Sequence, residues 1–174
     1  MINWKERIIM MLMVKNALYQ ADKEQLWEYH YPEVAAQMKE ILSVQKKLDV
    51  KFSEEYTEFL QYANGWKALY QLVDLFGTRD FDSESMEYAR KLLNTEMAND
   101  KSLDRWGGLL LPIAVSRTDK DLFVMVLAEG EQYGQVIWLA GGEVERFASF
   151  CEFFDAMIEY NKEELEDMTG EAMN

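Results

Sequence analysis

Residue types that carry acid–base, nucleophilic or metal chemistry are unevenly represented in this sequence. It contains 32 Asp and Glu residues but one histidine, His30, and one cysteine, Cys151. Single copies exclude zinc sites built from histidine pairs or thiolate clusters, and they exclude a CxxC redox pair. We interpret His30, which lies among aromatic residues just ahead of Pro32, as structural. We interpret Cys151 as a small core residue rather than a nucleophile.

Glycine-rich phosphate loops of the GxGxxG and GxxxxGK[ST] types are absent, and so is a G-x-S-x-G nucleophile elbow. The sequence therefore predicts no cofactor and no catalytic residue of these kinds. Carboxylate pairs suited to glycoside hydrolysis can be drawn almost anywhere among so many acidic residues, so a carboxylate-based hydrolase stays open as a less favoured alternative.

The segment "DFDSE" is the one place where carboxylates alternate, with Asp80, Asp82 and Glu84 spaced to surround a hard cation. An EF-hand loop would need glycine where Ser85 stands and glutamate where Lys91 stands. The pattern instead predicts an acidic cluster at a helix N-terminus, which the helix dipole stabilises. No metal site is expected.

The formal net charge of −14 on 174 residues indicates which partners the surface favours. Such a surface repels nucleic-acid phosphates and anionic membranes, and it attracts a basic protein through long-range steering. The apolar run from Ile8 to Val14 is broken by Lys15 and is far shorter than the ~20 residues of a membrane span. With one cysteine, an internal disulfide is excluded, and we expect a cytoplasmic protein.

Helical spacing of apolar residues predicts helices in the first third of the chain. The first covers residues 3–20, and the second covers 32–48 with Pro32 at its first position. Ser53 is expected to cap a third helix that Asn64 and Gly65 end, Gly65 being left-handed. Trp66 would then pack in the core at the start of a strand.

The rest of the chain alternates between β and α patterns. One strand is predicted over residues 68–77. A helix capped by Asp82 or Ser83 is predicted over 83–99, and two further strands are predicted over 109–115 and 121–128. A hairpin at Gly141-Gly142 follows. Ser149 and Glu152 predict a capping box that opens the last helix.

This order predicts a single α+β domain. A mixed, mostly antiparallel sheet would be flanked by helices, with helices at the N-terminus and an amphipathic helix at the C-terminus. We divide the chain into an N-terminal helical extension at 1–49, the α+β domain at 50–162 and an acidic tail at 163–174 that is expected to fray.

Short motifs within residues 50–160 resemble the SUKH superfamily, which is named partly for the yeast cell-wall-synthesis regulator. They are "FLQYANGW", "LLLPIAVSRTDKDLFVMVL", "QVIWLA" and "FASFCEFFDAMI". Asn64, Gly65 and Trp66 carry the resemblance together with Leu111 and Pro112. Lys51-Phe52 departs from the Leu-Pro that usually precedes the first motif helix.

The resemblance implies a mixed sheet flanked by helices and a role in protein binding. Bacterial members are mostly immunity proteins that neutralise polymorphic toxins, often nucleases, and eukaryotic members are regulatory interaction proteins. We therefore expect a cytoplasmic immunity protein that occludes a basic toxin, with a regulatory interaction module as the alternative. Its partner contacts would be the acidic loop residues Asp80, Asp82, Asp119, Asp121, Glu129 and Glu131. We expect a monomer or a weak homodimer, with the Met-rich N-terminal helix as the self-association surface.

Overall fold

The computed structural model describes residues 2–171, and in that range the chain folds as a single α+β domain, as predicted. Its helices are α1 (Trp4–Ala21), α2 (Met38–Leu48), α3 (Glu54–Leu60), α4 (Glu84–Asn99) and α5 (Phe150–Thr169), with short 3-10 helices at Asp80–Asp82 and Lys101–Trp106. Its strands are β1 (Trp66–Tyr70), β2 (Val73–Leu75), β3 (Leu110–Ser116), β4 (Leu122–Val126), β5 (Val136–Leu139) and β6 (Glu143–Phe147).

The six strands form one sheet in chain order, each antiparallel to the next, so the sheet is a meander within the described residues. Every residue of β3 and β4 is buried, which shows that both faces of the sheet centre are covered. Pro112 lies in β3, and the register with β4 shifts between Pro112 and Ala114. This irregularity suits a proline in a central strand, because proline cannot donate a ladder hydrogen bond.

Helix α5 covers one face of the sheet through the aromatic stripe that its sequence predicts. Phe153 packs against Phe123 of β4 and Phe147 of β6 at centroid distances of 5.2 and 5.7 Å. Helix α1 packs on α5, where Trp4 contacts Phe154 edge to face at 5.7 Å. Helix α4 packs against β3 and β4. Aromatic burial of this extent is the main source of stability in such a core.

Serine caps begin three of the helices, as the sequence predicts. The side chains of Ser53, Ser83 and Ser149 accept the backbone N–H three residues ahead in α3, α4 and α5. The capping box at α5 differs in one detail, because the Glu152 carboxylate accepts the N–H of Ala148 rather than that of Ser149. The hairpin at Gly141-Gly142 is also present, between β5 and β6.

Two predicted elements are wrong in their extent. The helix predicted over 32–48 begins only at Met38, because residues 33–36 pair with the chain at 60–65 in an extended conformation. The strand predicted over 68–77 is a hairpin, since β1 and β2 are separated at Gln71 and Leu72. Helical spacing after Pro32 and the continuous apolar run after Gly65 could not show these non-local pairings.

The expectation that Asn64 and Gly65 end α3 is also wrong. Helix α3 ends at Leu60, and Gly65 lies beyond its cap with a φ of +91°, in the left-handed region that was predicted. Gly65 and Asn64 instead cross Gly77, where a Cβ built on Gly77 would lie 1.9 Å from the Asn64 carbonyl oxygen. These glycines are therefore required by a close crossing of two backbone segments.

The acidic C-terminal segment is more ordered than its composition predicts. Helix α5 continues through residue 162 to Thr169, and Leu165 is buried against the core. The predicted fraying of 163–174 is therefore wrong up to Thr169, and residues 172–174 lie outside the described part of the chain. The division of the chain at residues 49 and 162 stays a prediction.

Candidate partner-binding cleft

A cleft of about 730 Å³ opens above strands β1 and β2. Residues 33–35, Gln37 and Glu40 form one wall, and Arg79, Asp80, Ser83 and Ser85 form the other. Asn64, Trp66, Lys67, Asp74, Leu75, Phe76 and Arg117 complete its lining. The cleft thus collects side chains from segments far apart in the sequence.

The first wall is fixed by backbone hydrogen bonds. Glu33 N–H donates to the Gly65 carbonyl at 3.0 Å, and Asn64 N–H donates back to the Glu33 carbonyl at 3.2 Å. Ala36 N–H donates to the Leu60 carbonyl at 2.8 Å. Residues 33–36 therefore act as a short extra strand beside the chain that leaves α3.

Large apolar side chains on this wall and just ahead of it are exposed to solvent. Val34 is 88% exposed although its segment is held by backbone hydrogen bonds, and Tyr31, which precedes the wall, is 84% exposed. Met38 and Leu42 continue the exposed apolar surface onto α2 and line a groove between α2 and α3. Apolar side chains grouped and exposed in this way are typical of a protein–protein contact surface.

Charged groups of both signs line the cleft, and some are already paired. Arg117 Nε lies 3.1 Å from Asp74 Oδ2, and Arg117 Nη1 donates to both Glu28 oxygens at 2.9 and 3.0 Å. Within residues 2–171, Lys67 and Arg79 form no ion pair. The cleft therefore offers two free cations beside its carboxylates.

Asp80 is the predicted partner-binding residue that lines this cleft. One of its carboxylate oxygens accepts the N–H of Gly77 at 2.7 Å. Burial raises the pKa of Asp80, and the negative charges of Asp74 and Glu33 raise it further against the opposing effects of that hydrogen bond and of Lys67. The three carboxylates thus share one electrostatic environment, in which a positive group from a partner would be favoured.

The other predicted contacts do not converge on the cleft. Asp82 is exposed and paired with Lys47 at 2.6 Å. Asp119 and Asp121 precede β4, where Asp121 accepts the indole N–H of Trp138 at 2.8 Å. Glu129 and Glu131 follow β4 and are exposed, so the two acidic loops lie at opposite ends of that strand.

The single histidine and the single cysteine of the sequence, His30 and Cys151, do not line the cleft. His30 is exposed and 2.9 Å from Glu28, while its backbone carbonyl accepts the indole N–H of Trp66 at 2.8 Å. Cys151 is half-buried rather than in the core centre. Burial raises its pKa to about 11, with the charge of Asp155 adding to the effect, so the thiol is a poor nucleophile at neutral pH.

The model of the SMI1 / KNR4 family (SUKH-1) matches residues 35–156, well over half of the chain. The chain belongs to this family. No curated protein gives a significant sequence match. The resemblance to the SUKH superfamily is thereby confirmed, and the matched range begins earlier than the motifs alone indicate.

The residues that carry the resemblance to the SUKH superfamily have structural roles in this chain. Asn64 and Gly65 form the crossing with Gly77, and Trp66 is fully buried beside them. Leu111 and Pro112 lie in the central strand β3. The family includes toxin-immunity proteins, and its members are generally non-catalytic immunity or regulatory proteins.

Sequence reasoning missed one wall of the cleft. Glu33 and Val34 precede the matched range of the SUKH-1 family, and helical spacing placed Val34 on a buried helix face. The backbone restriction that Pro32 imposes acts on Tyr31, ahead of it, and gave no signal for residues 33–36. Gln37 and Glu40 carried a local signal, since the Glu40 carboxylate accepts the N–H of Gln37 at 2.7 Å and marks the true start of α2.

Two further findings concern the residues that the structure describes. None of their helices combines the length and apolar character that crossing a bilayer requires. No group of three His, Cys, Asp or Glu side chains between residues 2 and 171 is placed to hold a metal ion.

Proposed function

We propose that this SUKH-1 protein is an immunity protein that binds a cognate basic toxin in one-to-one fashion and blocks its active surface. Family membership supports a binding role, and the net charge of −14 supports a basic partner, such as a nuclease whose surface attracts phosphates. One cysteine and no internal disulfide suit action in the cytoplasm.

The observation that carries this proposal is the wall formed by residues 33–37. It presents Val34 to solvent beside the carboxylates of Glu33 and Glu40, and the exposed Tyr31 lies just ahead of it in the chain. An apolar centre that excludes water, surrounded by polar and charged groups, is the usual anatomy of a protein interface.

Charge and apolar contact would have separate roles in this complex. The overall negative field would speed the encounter with a basic toxin. Val34 and Tyr31 would supply the apolar burial that keeps the complex together. The free cations Lys67 and Arg79, next to Glu33 and Asp80, would fix the orientation of the partner through paired charges of both signs.

Co-expression with the toxin encoded by the neighbouring gene tests the proposal. The wild-type chain is expected to protect the cell and to purify as a complex, whereas Val34→Asp is expected to lose both properties. Val144→Asp serves as the matched control, since Val144 is an exposed valine on β6 that does not line the cleft. Absence of protection and of any stable complex would contradict the immunity role, and a partner captured only from the native host would favour the regulatory alternative.

A further inference from the structure

A second pocket lies at the C-terminal end of α1. It has a volume of about 610 Å³ and lies between the last turns of α1 and the loop that follows, which spans residues 22–29. Three aromatic side chains line it, Tyr19, Trp27 and Tyr29. The remaining lining is polar and comprises Gln20, Asp22, Lys23 and Gln25. We refer to it as the aromatic pocket, and all its residues precede the range that the SUKH-1 family matches.

Two of the rings form adjacent walls of the aromatic pocket. Tyr19 and Tyr29 meet at a centroid distance of 5.7 Å with an interplanar angle of 72°. Tyr19 is 66% exposed, so this wall is open to solvent. Neighbouring aromatic walls at a steep angle resemble the cages that bind ammonium groups.

Hydrogen bonds hold the rings of Trp27 and Tyr29 in place before any ligand arrives. Trp27 Nε1–H donates to Glu164 of α5 at 2.7 Å, and Tyr29 Oη–H donates to Asp22 at 3.0 Å. Asp22 also accepts the N–H groups of Leu26 and Trp27 at 2.9 and 3.1 Å. A ligand would therefore meet a largely preorganised site and would lose little affinity to ordering it.

The electrostatics of the aromatic pocket favour a cation. Aromatic faces carry negative potential, and the Glu164 carboxylate that holds Trp27 adds negative charge, whereas the buried ammonium of Lys15, 5.3 Å from the ring centre of Tyr29, partly opposes a second cation. Burial alone would raise the pKa of Asp22, but hydrogen bonds from Leu26, Trp27, Tyr29 and Gln25 together outweigh that effect and lower the pKa, so the carboxylate is charged at neutral pH. Lys23 is the one cation among the lining residues, and it is exposed.

We propose that the aromatic pocket binds the guanidinium group of an arginine side chain, presented by the basic partner. A planar guanidinium stacks on aromatic faces and is weakly hydrated, so it matches a half-open aromatic site better than an ammonium does. The proposed function enters this inference at one point, the identity of the protein that presents the arginine. The cation preference of the pocket can be measured without that protein.

The experiment uses the full chain and two small probes of nearly identical shape. N-acetyl-arginine amide carries the cation, and N-acetyl-citrulline amide is its neutral counterpart. The signal to follow is the NMR resonance of the Trp27 indole N–H, assigned with Trp27→Phe. The arginine probe is expected to shift this resonance in a saturable way, and the citrulline probe is expected to bind at least tenfold more weakly. Equal binding of both probes, or no saturable shift with the arginine probe, would overturn the proposal.

Surface variants separate the cation–aromatic contact from a general effect on the fold. Tyr19→Leu keeps apolar bulk and removes the ring, so it is expected to weaken the arginine probe at least threefold. Tyr19→Phe keeps the ring and is expected to bind like the wild type. Lys23→Gln removes the cation from the lining and is expected to tighten binding. Unchanged affinity of Tyr19→Leu for the arginine probe would contradict a role of the Tyr19 ring in binding. These measurements use the probes alone, so they test the aromatic pocket whether or not a toxin is found.

Discussion

Asn64 and Thr78 bind each other through two hydrogen bonds across the backbone crossing at the edge of the cleft. Asn64 Nδ2 donates to Thr78 Oγ1 at 2.8 Å, and Thr78 N–H donates to Asn64 Oδ1 at 2.7 Å. Thr78 is buried and follows Gly77, the residue on which Asn64 packs directly. The amide thus ties the end of the α3 segment to the chain that enters α4.

We expect Asn64→Ala to destabilise the fold by about 2 kcal/mol, because it removes both hydrogen bonds and leaves the buried Thr78 N–H without its acceptor. Thr78→Val removes only the hydroxyl and is expected to cost about 1 kcal/mol. Urea denaturation of both single variants and of the double variant measures the coupling. If the two effects simply add, Asn64 and Thr78 do not act as a pair.

The glycine crossing gives a second prediction. A Cβ on Gly77 would lie 1.9 Å from Asn64 O, and one on Gly65 would lie 2.5 Å from Gly77 N, both of them backbone atoms. Since backbone atoms cannot move aside as a flexible side chain can, we expect Gly77→Ala to cost at least about 3 kcal/mol. Gly65→Ala adds the strain of a φ of +91° to a similar clash.

Gly108 provides the matched control for this pair. Its φ is +80°, but nothing lies within 4 Å of a Cβ built on it. Gly108→Ala should therefore report left-handed strain alone, about 1 kcal/mol. A loss for Gly77→Ala no larger than that of Gly108→Ala in the same urea series would contradict the close crossing.

Local patterns predicted the elements whose determinants lie within one turn. Ser53, Ser83 and Ser149 each cap a helix through a contact three residues away, and such contacts are visible in the sequence. The aromatic stripe of α5 and the hairpin at Gly141-Gly142 belong to the same class, and together they were enough for the α+β assignment.

Features that depend on distant pairing were not predictable in this way. The sequence around Val34 is compatible with a helix and with an extended segment. The antiparallel bridge between Val34 and Ala63 stabilises the extended conformation. Ala68 adopts a φ of +50° inside β1 because Asp74 accepts its N–H at 2.8 Å and Lys15 donates to its carbonyl. Of the six acidic residues predicted as partner contacts, Asp80 alone lines the cleft, and the partner-binding role of all six stays a prediction.

The ion pair between Arg117 and Asp74 should contribute more to the free energy of unfolding than a solvent-exposed ion pair does. The Asp74 side chain is only 12% exposed and also holds the bulged N–H of Ala68. Arg117→Ala leaves that carboxylate partly buried and unpaired, so we expect a loss of about 2 kcal/mol. Thermal or urea unfolding measures it directly.

Lys47→Ala is the matched control for that variant. It breaks the pair with Asp82, in which both side chains are more than half exposed. Such pairs contribute about 0–1 kcal/mol, so Lys47→Ala is expected to be nearly neutral. Equal losses for the two variants would show that burial of Asp74 has no special effect.

Lys15 makes stability depend on pH in the alkaline range. Burial lowers its pKa from 10.5 to about 8, with a smaller opposing effect from Glu164. Between those two values the unfolded chain binds the proton more tightly, so the contribution of Lys15 to stability rises as pH increases from 8 towards 10.5. We expect the wild type to gain roughly 2 kcal/mol relative to Lys15→Met between pH 7 and pH 10.

The comparison with Lys15→Met is necessary because other groups titrate in the same range. Burial raises the pKa of the Cys151 thiol to about 11, which lowers stability above pH 9 in both proteins alike. Urea denaturation of both proteins at several pH values isolates the lysine from this background. A constant difference between them across that range would show that Lys15 keeps an ordinary pKa in the folded chain.

The cleft wall predicts that charge and apolar contact affect different rate constants of toxin binding. Glu33→Lys reverses an exposed charge, so we expect it mainly to slow association, with a weaker dependence on salt concentration. Val34→Asp places a charge in the apolar centre, so we expect it mainly to speed dissociation by tenfold or more. Surface plasmon resonance at two salt concentrations measures both rates, with Glu166→Lys, an exposed position on α5, as the control for net charge. Equal slowing of association by Glu166→Lys and Glu33→Lys would show that steering depends on total charge alone. An unchanged dissociation rate in Val34→Asp would show that the wall of residues 33–37 is not the contact surface.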